Sequence, residues 1–333
     1  MKRVLLASLF VLICFPLLAA GGRGRDDGPW TLRFGHVFTP VHIAHMHMEE
    51  WAENVRVGTN GMVNIEIFPS AQLGAEEDVL EQIRAGANIG WFTDFARLGS
   101  YVRELSVPNA SFFVSNLDEA MSLQDSPTLR RLLNELTETF GFYTLSFLWV
   151  QGERQVFSSR PARSPAEMAG LLIRSPPAPI WVESVTALGV TATPLPYGEI
   201  YTAIAGGVVD GAELPFTSAR NMRLQEVVNY VIETGHIFQL NTLVASRAWL
   251  DRLPVNYRRV VIDEANRSGL NFSQGMLREN QEALQEMLRE GLTLIPRAQL
   301  DMDAFRAASV QAYERLGLLA VRDAIHREIG LSR

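Results

Sequence analysis

"GLLIRSPPAPIWVESVTALGVTATPLPYGEIYTAIAGGVVDGAELP", residues 170 to 215, holds two short strand-like runs, "LLIR" and "TATPLP", each followed by a helical pattern, and closes on a third run, "VVDGAELP". Runs of this kind alternating with helices favour an α/β sheet. Arg174 ends the first run, at what should be the carboxyl edge of a buried strand, where open α/β sheets bind their ligands. The prolines that follow hold the backbone extended. A guanidinium presents its donors in a planar fork that fits a carboxylate through two parallel hydrogen bonds. An arginine paired to a neighbouring acid at a strand end explains the same residue, so the position alone leaves both readings open.

The first half repeats the pattern. "TLRFGHV" (31 to 37) is strand-like, Ala44, Met48, Trp51, Ala52 and Val55 recur at helical spacing, "MVNIEIFP" (62 to 69) alternates as a strand, and a helix passes through Val79, Leu80 and Ile83. "IRAGANIG" (83 to 90) and "IAGGVVDG" (204 to 211) share Ile-x-x-Gly-x-x-x-Gly. The first glycine suits a helix C-terminal cap, and the second suits a strand start or a close backbone approach. The echo predicts two lobes of related architecture. From Pro254 to Gly291 the apolar spacing suits long amphipathic helices, with "NRSG" (266 to 269) as a possible break. "LTLIP" then reads as a short strand, and two helices finish the chain.

Composition sets the outer limits. With 333 residues, 47% hydrophobic and 20% charged, the chain has room for two domains and a sizeable core. Lys2 and Arg3 precede the apolar "VLLASLFVLICFPLLAA" and the small residues that follow it, which reads as a secretory signal peptide; an uncleaved anchor is the alternative. Cys14, the only cysteine, lies inside that segment, so cleavage near Ala20 leaves no disulfide and no thiolate chemistry. Loss of Lys2 and Arg3 takes two positive charges from a formal net charge of −7, leaving −9. Such a surface argues against nucleic acid or an anionic membrane as a partner. Any bound anion must be held by local cations.

Arg154 in "QGERQVF", and Asp94 with Arg97 in "TDFARLG", add charged groups at strand ends of both lobes. A cleft between the lobes would then carry both signs, as a hydroxylated or amino-bearing acid requires. Singly, each is a surface or ion-pair residue as readily as a ligand contact. His42, His45 and Glu49 share a face of a helix starting near Val41 while His47 points away, so zinc or copper has to be weighed against a polar helix flank. His36 ends the first strand and could line the cleft. Hydrolase elbows, metalloprotease and dinucleotide motifs and phosphate loops are missing from the sequence.

Residues 170 to 215 resemble the solute-binding proteins of tripartite ATP-independent periplasmic (TRAP) transporters, the DctP-like family. "GMVNIEIFPSAQLGAEEDVLEQIRAG" (61 to 86) resembles the same family's first-lobe segment in order and spacing. The resemblance implies an α/β, two-lobed periplasmic-binding-protein fold, each lobe a mixed or parallel sheet flanked by helices, with long C-terminal helices. It implies a leader over 1–25, a first lobe mainly over 26–150, a second mainly over 151–250, and a helical region over 251–333 linking both. Arg174 matches the arginine that clamps the ligand carboxylate. Arg154 matches a second arginine of sugar-acid binders, Asp94 and Arg97 an acid-x-x-arginine pair, Glu76 an acidic contact and Tyr197 an aromatic that packs on the ligand. Glu213 and His236 match groups that hold the clamp arginine. Leu214 stands where the family usually has asparagine, and Pro177 where the sialic acid branch has one, so the ligand itself stays open between a sugar acid and a less polar monocarboxylate or keto acid.

The expected activity is that of a periplasmic receptor which closes on an organic acid and delivers it to membrane permease subunits, with no cofactor, no metal and no catalysis. The competing reading is a secreted metal-binding protein or enzyme built on the region of His42 and His45; a receptor that signals rather than transports is a third.

Overall fold

The structure, a computed structural model, describes residues 28–331. The segment read as a signal peptide, its expected cleavage site and Cys14 lie outside them. Among the described residues no helix is long and apolar enough to cross a membrane.

The strands are β1 (Trp30–Gly35), β2 (Val63–Phe68), β3 (Ile89–Asp94), β4 (Phe142–Ser158), β5 (Leu172–Ser175), β6 (Thr191–Pro194), β7 (Gly211–Leu214), β8 (Tyr230–Ser246) and β9 (Thr293–Ile295). They form one path in the order β2-β1-β3-β8-β4-β7-β5-β6, with β9 beside β8. β1, β2 and β3 pair in parallel at one end, and β5 pairs in parallel with β6 and β7 at the other. This is the βα alternation read from the sequence, occurring twice.

β4 and β8, each 17 residues long, run antiparallel through both ends and join them. β3 pairs with Asn241–Ala245 of β8, whereas β7 pairs with Gln155–Ser158 of β4. The chain beyond residue 230 therefore does not stay in the second half, because β8 carries it back beside β3. The register between β4 and β8 slips repeatedly between Thr144 and Val156. Such irregularities leave backbone groups unpaired and bend a strand.

The helix Val255–Arg289 lies against that irregular stretch. Ser273 accepts from Val150 N at 2.8 Å and donates to Leu148 O at 2.7 Å, and Asn280 donates to Gln151 O at 2.8 Å. Its side chains thus satisfy what the strand pairing leaves open. The helix runs 35 residues without the break suggested at "NRSG". Gly269 serves packing instead: a Cβ there would stand 2.6 Å from Trp149 Nε1, whose indole donates to Ala265 O.

The echoed glycines do related work in the two halves. Gly86 and Gly207 follow the helices Glu76–Arg84 and Ile200–Ala205 with φ of +88° and +70°, the left-handed region that favours glycine. Gly90 and Gly211 sit in β3 and β7, where a Cβ would come within 2.6 Å of Phe34 and 1.9 Å of Phe157 O. Both pairs allow a helix to turn directly into a central strand. The helix Ile43–Gly58 buries Ala44, Met48, Trp51, Ala52 and Val55, the face that the sequence spacing marked.

Candidate functional site

The carboxyl ends of β3 and β5, together with the middle of β4 and β8, surround a chamber between the two halves. Arg174, Arg154, Asp94, Arg97, Glu76, Tyr197 and Leu214 all line it. Glu213 and His236, expected behind the wall, are completely buried.

The first-half wall is a compact ion cluster. Asp94 ends β3 and caps the short helix Phe95–Leu98, accepting from Arg97 N at 2.9 Å, while Arg97 Nη1 reaches Asp94 Oδ2 at 2.5 Å. Arg97 Nε meets Glu76 Oε2 at 3.1 Å, and Thr93 Oγ1 donates to Glu76 Oε1 at 2.7 Å. Burial pushes the Glu76 carboxyl up to about 7 against the pull of Arg97, with Asp94 adding repulsion. Burial also works against the charge on Arg97, but Glu76, Asp94 and Glu77 outweigh it and hold the guanidinium ionised.

The second-half wall holds two arginines in unlike surroundings. Arg154, 3% exposed, donates from Nε to Glu213 Oε2, from Nη2 to Glu213 Oε1 at 2.7 Å and to Glu213 O at 2.5 Å, and from Nη1 to Gln239 Oε1 at 2.6 Å. Its guanidinium carbon lies 4.6 Å from the centre of the Trp181 ring. Burial would raise Glu213, yet Arg154, helped by His236 at 3.4 Å, holds it below the usual carboxylate range. Glu213 was expected to hold Arg174; both its oxygens go to Arg154 instead, because β7 and β4 are paired side by side at Glu213 and Val156. His236 touches the same carboxylate and Thr234 Oγ1 at 2.8 Å.

Arg174, 1% exposed, donates from Nε to Leu195 O at 2.8 Å. Among the described residues no carboxylate forms an ion pair with it. Burial pulls its pKa down to about 9; Glu213 opposes this, and Arg154 and Arg97 add repulsion. It stays protonated at neutral pH, as a cation that the protein itself does not neutralise by contact.

Sequence reasoning missed several lining residues. Trp181 donates Nε1 to Asp94 Oδ1 at 3.3 Å and so links the two walls beside Arg154. Gln151, Gln239 and Asn241 also line the chamber, with Gln151 Nε2 donating to Asn241 Oδ1 at 2.8 Å. Gln239 and Asn241 stand two apart in an apolar run, "IFQLNTLV", a spacing that puts two polar groups on one face of a buried strand. That signal was there to be read.

The histidines near the rim do not converge on a metal position. His42 caps the helix Ile43–Gly58, its Nδ1 accepting from Ala44 N at 3.0 Å, while His45 Nδ1 meets His36 Nε2 at 3.0 Å and Phe38 N donates to His36 Nδ1. His45 Nε2 is 3.7 Å from Glu49, and His47 turns to Glu50. Among the described residues no group of three or more His, Cys, Asp or Glu side chains is placed to hold a metal ion.

A guanidinium without a carboxylate partner, inside a chamber between two βα halves, fits a receptor for an anion, and comparison with known sequences agrees. The profile of the DctP family, bacterial extracellular solute-binding protein family 7, matches residues 34–317. The chain belongs to this family. The solute-binding protein RD1_1052 of Roseobacter denitrificans is 26% identical over 312 residues, 91% of each chain. The TRAP periplasmic solute-binding protein of Desulfovibrio salexigens, solved with diglycerolphosphate, is 27% identical with a TM-score of 0.85, covering 90% of this chain and 96% of that one. The TRAP protein of Ochrobacterium anthropi, solved with bound L-fuconate, is 26% identical with a TM-score of 0.84 over 90% of this chain and 99% of the other. Members of the DctP family are the solute receptors of TRAP transporters, and this chain is one of them.

Proposed function

We propose that this receptor takes a monocarboxylate-bearing organic acid into the chamber, with the carboxylate on Arg174, and presents it to the permease subunits of a TRAP transporter. Arg174 carries the reading: it is buried, it lines the chamber, and only its Nε is engaged, leaving the terminal nitrogens for an anion. A desolvated cation is costly when unpaired, and a carboxylate docking in two parallel bonds removes that cost. Counting charges favours a single negative charge. Among the described residues Arg97 pairs with Asp94, Glu76 and Glu77, and Arg154 with Glu213, which leaves Arg174 as the one arginine of the chamber without a carboxylate partner.

Glu76, Asp94 and Arg97 give the opposite wall, Tyr197 packs against the occupant, and Leu214 makes the second-half wall less polar. The halves act as lobes, 26–150 and 151–250 in the main, joined by β4, β8 and the C-terminal helices, and ligand contacts on both walls favour the closed arrangement. The protein works in the periplasm after removal of its leader, and it carries out no chemistry on the ligand.

The relatives solved with L-fuconate and with diglycerolphosphate show that members bind carboxylates and phosphodiesters. A single unpaired cation fits either monoanion, and the small chamber at Arg174, about 40 Å³, favours the compact planar carboxylate over a tetrahedral phosphodiester substituted on both sides. A thermal-shift screen of carboxylic acids against glycerol phosphates tests this: a carboxylate at a hundredfold its dissociation constant raises stability by about 2.7 kcal/mol. Shifts with phosphates alone would sink the assignment.

A further inference from the structure

A second, larger chamber adjoins the first. The two share Val37, Glu76, Arg97 and Tyr197 as walls, so they are two rooms of one cleft. The inner room has a cavity volume of about 40 Å³, the outer about 340 Å³. One water occupies about 10–15 Å³ on this measure, so the inner room holds on the order of three water-sized groups, a carboxylate and the carbon beside it. Anything longer has to extend past Tyr197.

The outer room is walled mainly by apolar groups from both halves, with Ala71 and Ala75 on one side and Pro177, Pro196 and Met222 on the other. Two donors at its wall lack partners. His42 uses Nδ1 as acceptor for Ala44 N, which places its proton on Nε2, and Nε2 has no hydrogen-bond partner although the residue is 1% exposed. Asn221, from the opposite half, has its Nδ2 buried and unpartnered as well. Both nitrogens are closed off from the chamber in this arrangement; a buried donor without an acceptor costs free energy, and a turn of the side chain towards an occupant's acceptor removes that cost.

We infer that the ligand is an extended monocarboxylate whose mostly apolar tail, of about four or more carbons with an acceptor oxygen near its far end, lies in the outer chamber between His42 and Asn221. The inference rests on the carboxylate seat proposed at Arg174. It goes beyond that seat by fixing the ligand's length and the chemistry of its other end.

Gly198 offers a clean test. It lines the outer room, its φ is unexceptional, and a Cβ there meets nothing within 4 Å, so Gly198→Phe adds bulk at the wall from a point with open space around it. Affinities of the full-length mature receptor for propanoate, hexanoate, 6-hydroxyhexanoate and gluconate are measured by calorimetry, in wild type and variant. In wild type, hexanoate binds at least tenfold more tightly than propanoate, and 6-hydroxyhexanoate more tightly than either hexanoate or gluconate. In Gly198→Phe the two longer acids weaken at least tenfold while propanoate stays within twofold. Met222→Trp, narrowing the same room from another element, gives the same split and stands in if the first variant does not fold. Affinity independent of chain length, or equal weakening of short and long acids, overturns the outer site while leaving the seat on Arg174 intact. Tightest binding of gluconate overturns the apolar tail. Absence of binding by every acid overturns the seat and, with it, this inference.

Discussion

Arg154 and Arg174 are buried in the same wall, yet Arg154 makes four hydrogen bonds and faces a carboxylate, whereas Arg174 makes one, to a carbonyl. Burial does not separate them; company does. A buried guanidinium with a bidentate carboxylate is already neutralised and acts as wall. A buried guanidinium without one keeps most of its electrostatic capacity for something that arrives from outside. The contrast predicts opposite consequences for the two residues, in binding for one and in stability for the other.

The sharpest way to break it is Arg174→Ala. Two charge-assisted hydrogen bonds at about 1.5–3 kcal/mol each put the loss of carboxylate affinity at a hundredfold or more, while thermal stability is unchanged or raised because an unpaired buried cation has been removed. Calorimetry and a melting curve read both halves of that statement; intact affinity would make Arg174 wall as well. Next comes Glu213→Ala, which leaves Arg154 buried and unpaired. Stability falls by about 3–5 kcal/mol in urea titration. A variant as stable as wild type would mean that the Arg154 pair contributes little.

The smallest effect concerns the first-half wall. The Glu76 carboxyl, pushed up to about 7 in the folded chain from an ordinary 4.5, holds its proton more tightly folded than unfolded. Stability from this group is therefore lost as pH rises from about 4.5 towards 7, and the cost is complete above that. Over the rise through pH 7 the chamber also gains a negative charge, so affinity for a monoanion falls several-fold. Glu76→Gln flattens both profiles, read as melting temperature and dissociation constant from pH 5 to 8. A wild-type profile already flat across that window would remove Glu76 from the charge count.

Much of this arrangement was legible in the sequence because it is local. The repeated Ile-x-x-Gly-x-x-x-Gly marks two helix-to-strand turns whose glycines have purely steric causes, a left-handed φ and a missing Cβ. Arg174 at a strand end places itself by the same local logic. Partnership was not legible. Glu213 and Arg154 meet only because β7 lies beside β4, and a sequence separation of 59 gives no hint of that register. Nor did "NRSG" reveal that its glycine accommodates Trp149, 120 positions earlier, instead of ending a helix. Local pattern predicts where a chain turns; which charge answers which depends on strands brought together from far apart.

The threading of the chain has one more consequence. β4 and β8 pass through both halves. The helix Val255–Arg289 meets Trp51 at one end and Thr217 and Arg220 towards the other, and the last helix returns to the first half, where Glu328 accepts from Ser126 and Thr128. Neither half is a continuous cassette that recombination could lift out and replace. New ligand preferences in such a receptor have to be won one side chain at a time along the facing walls, at positions such as Leu214.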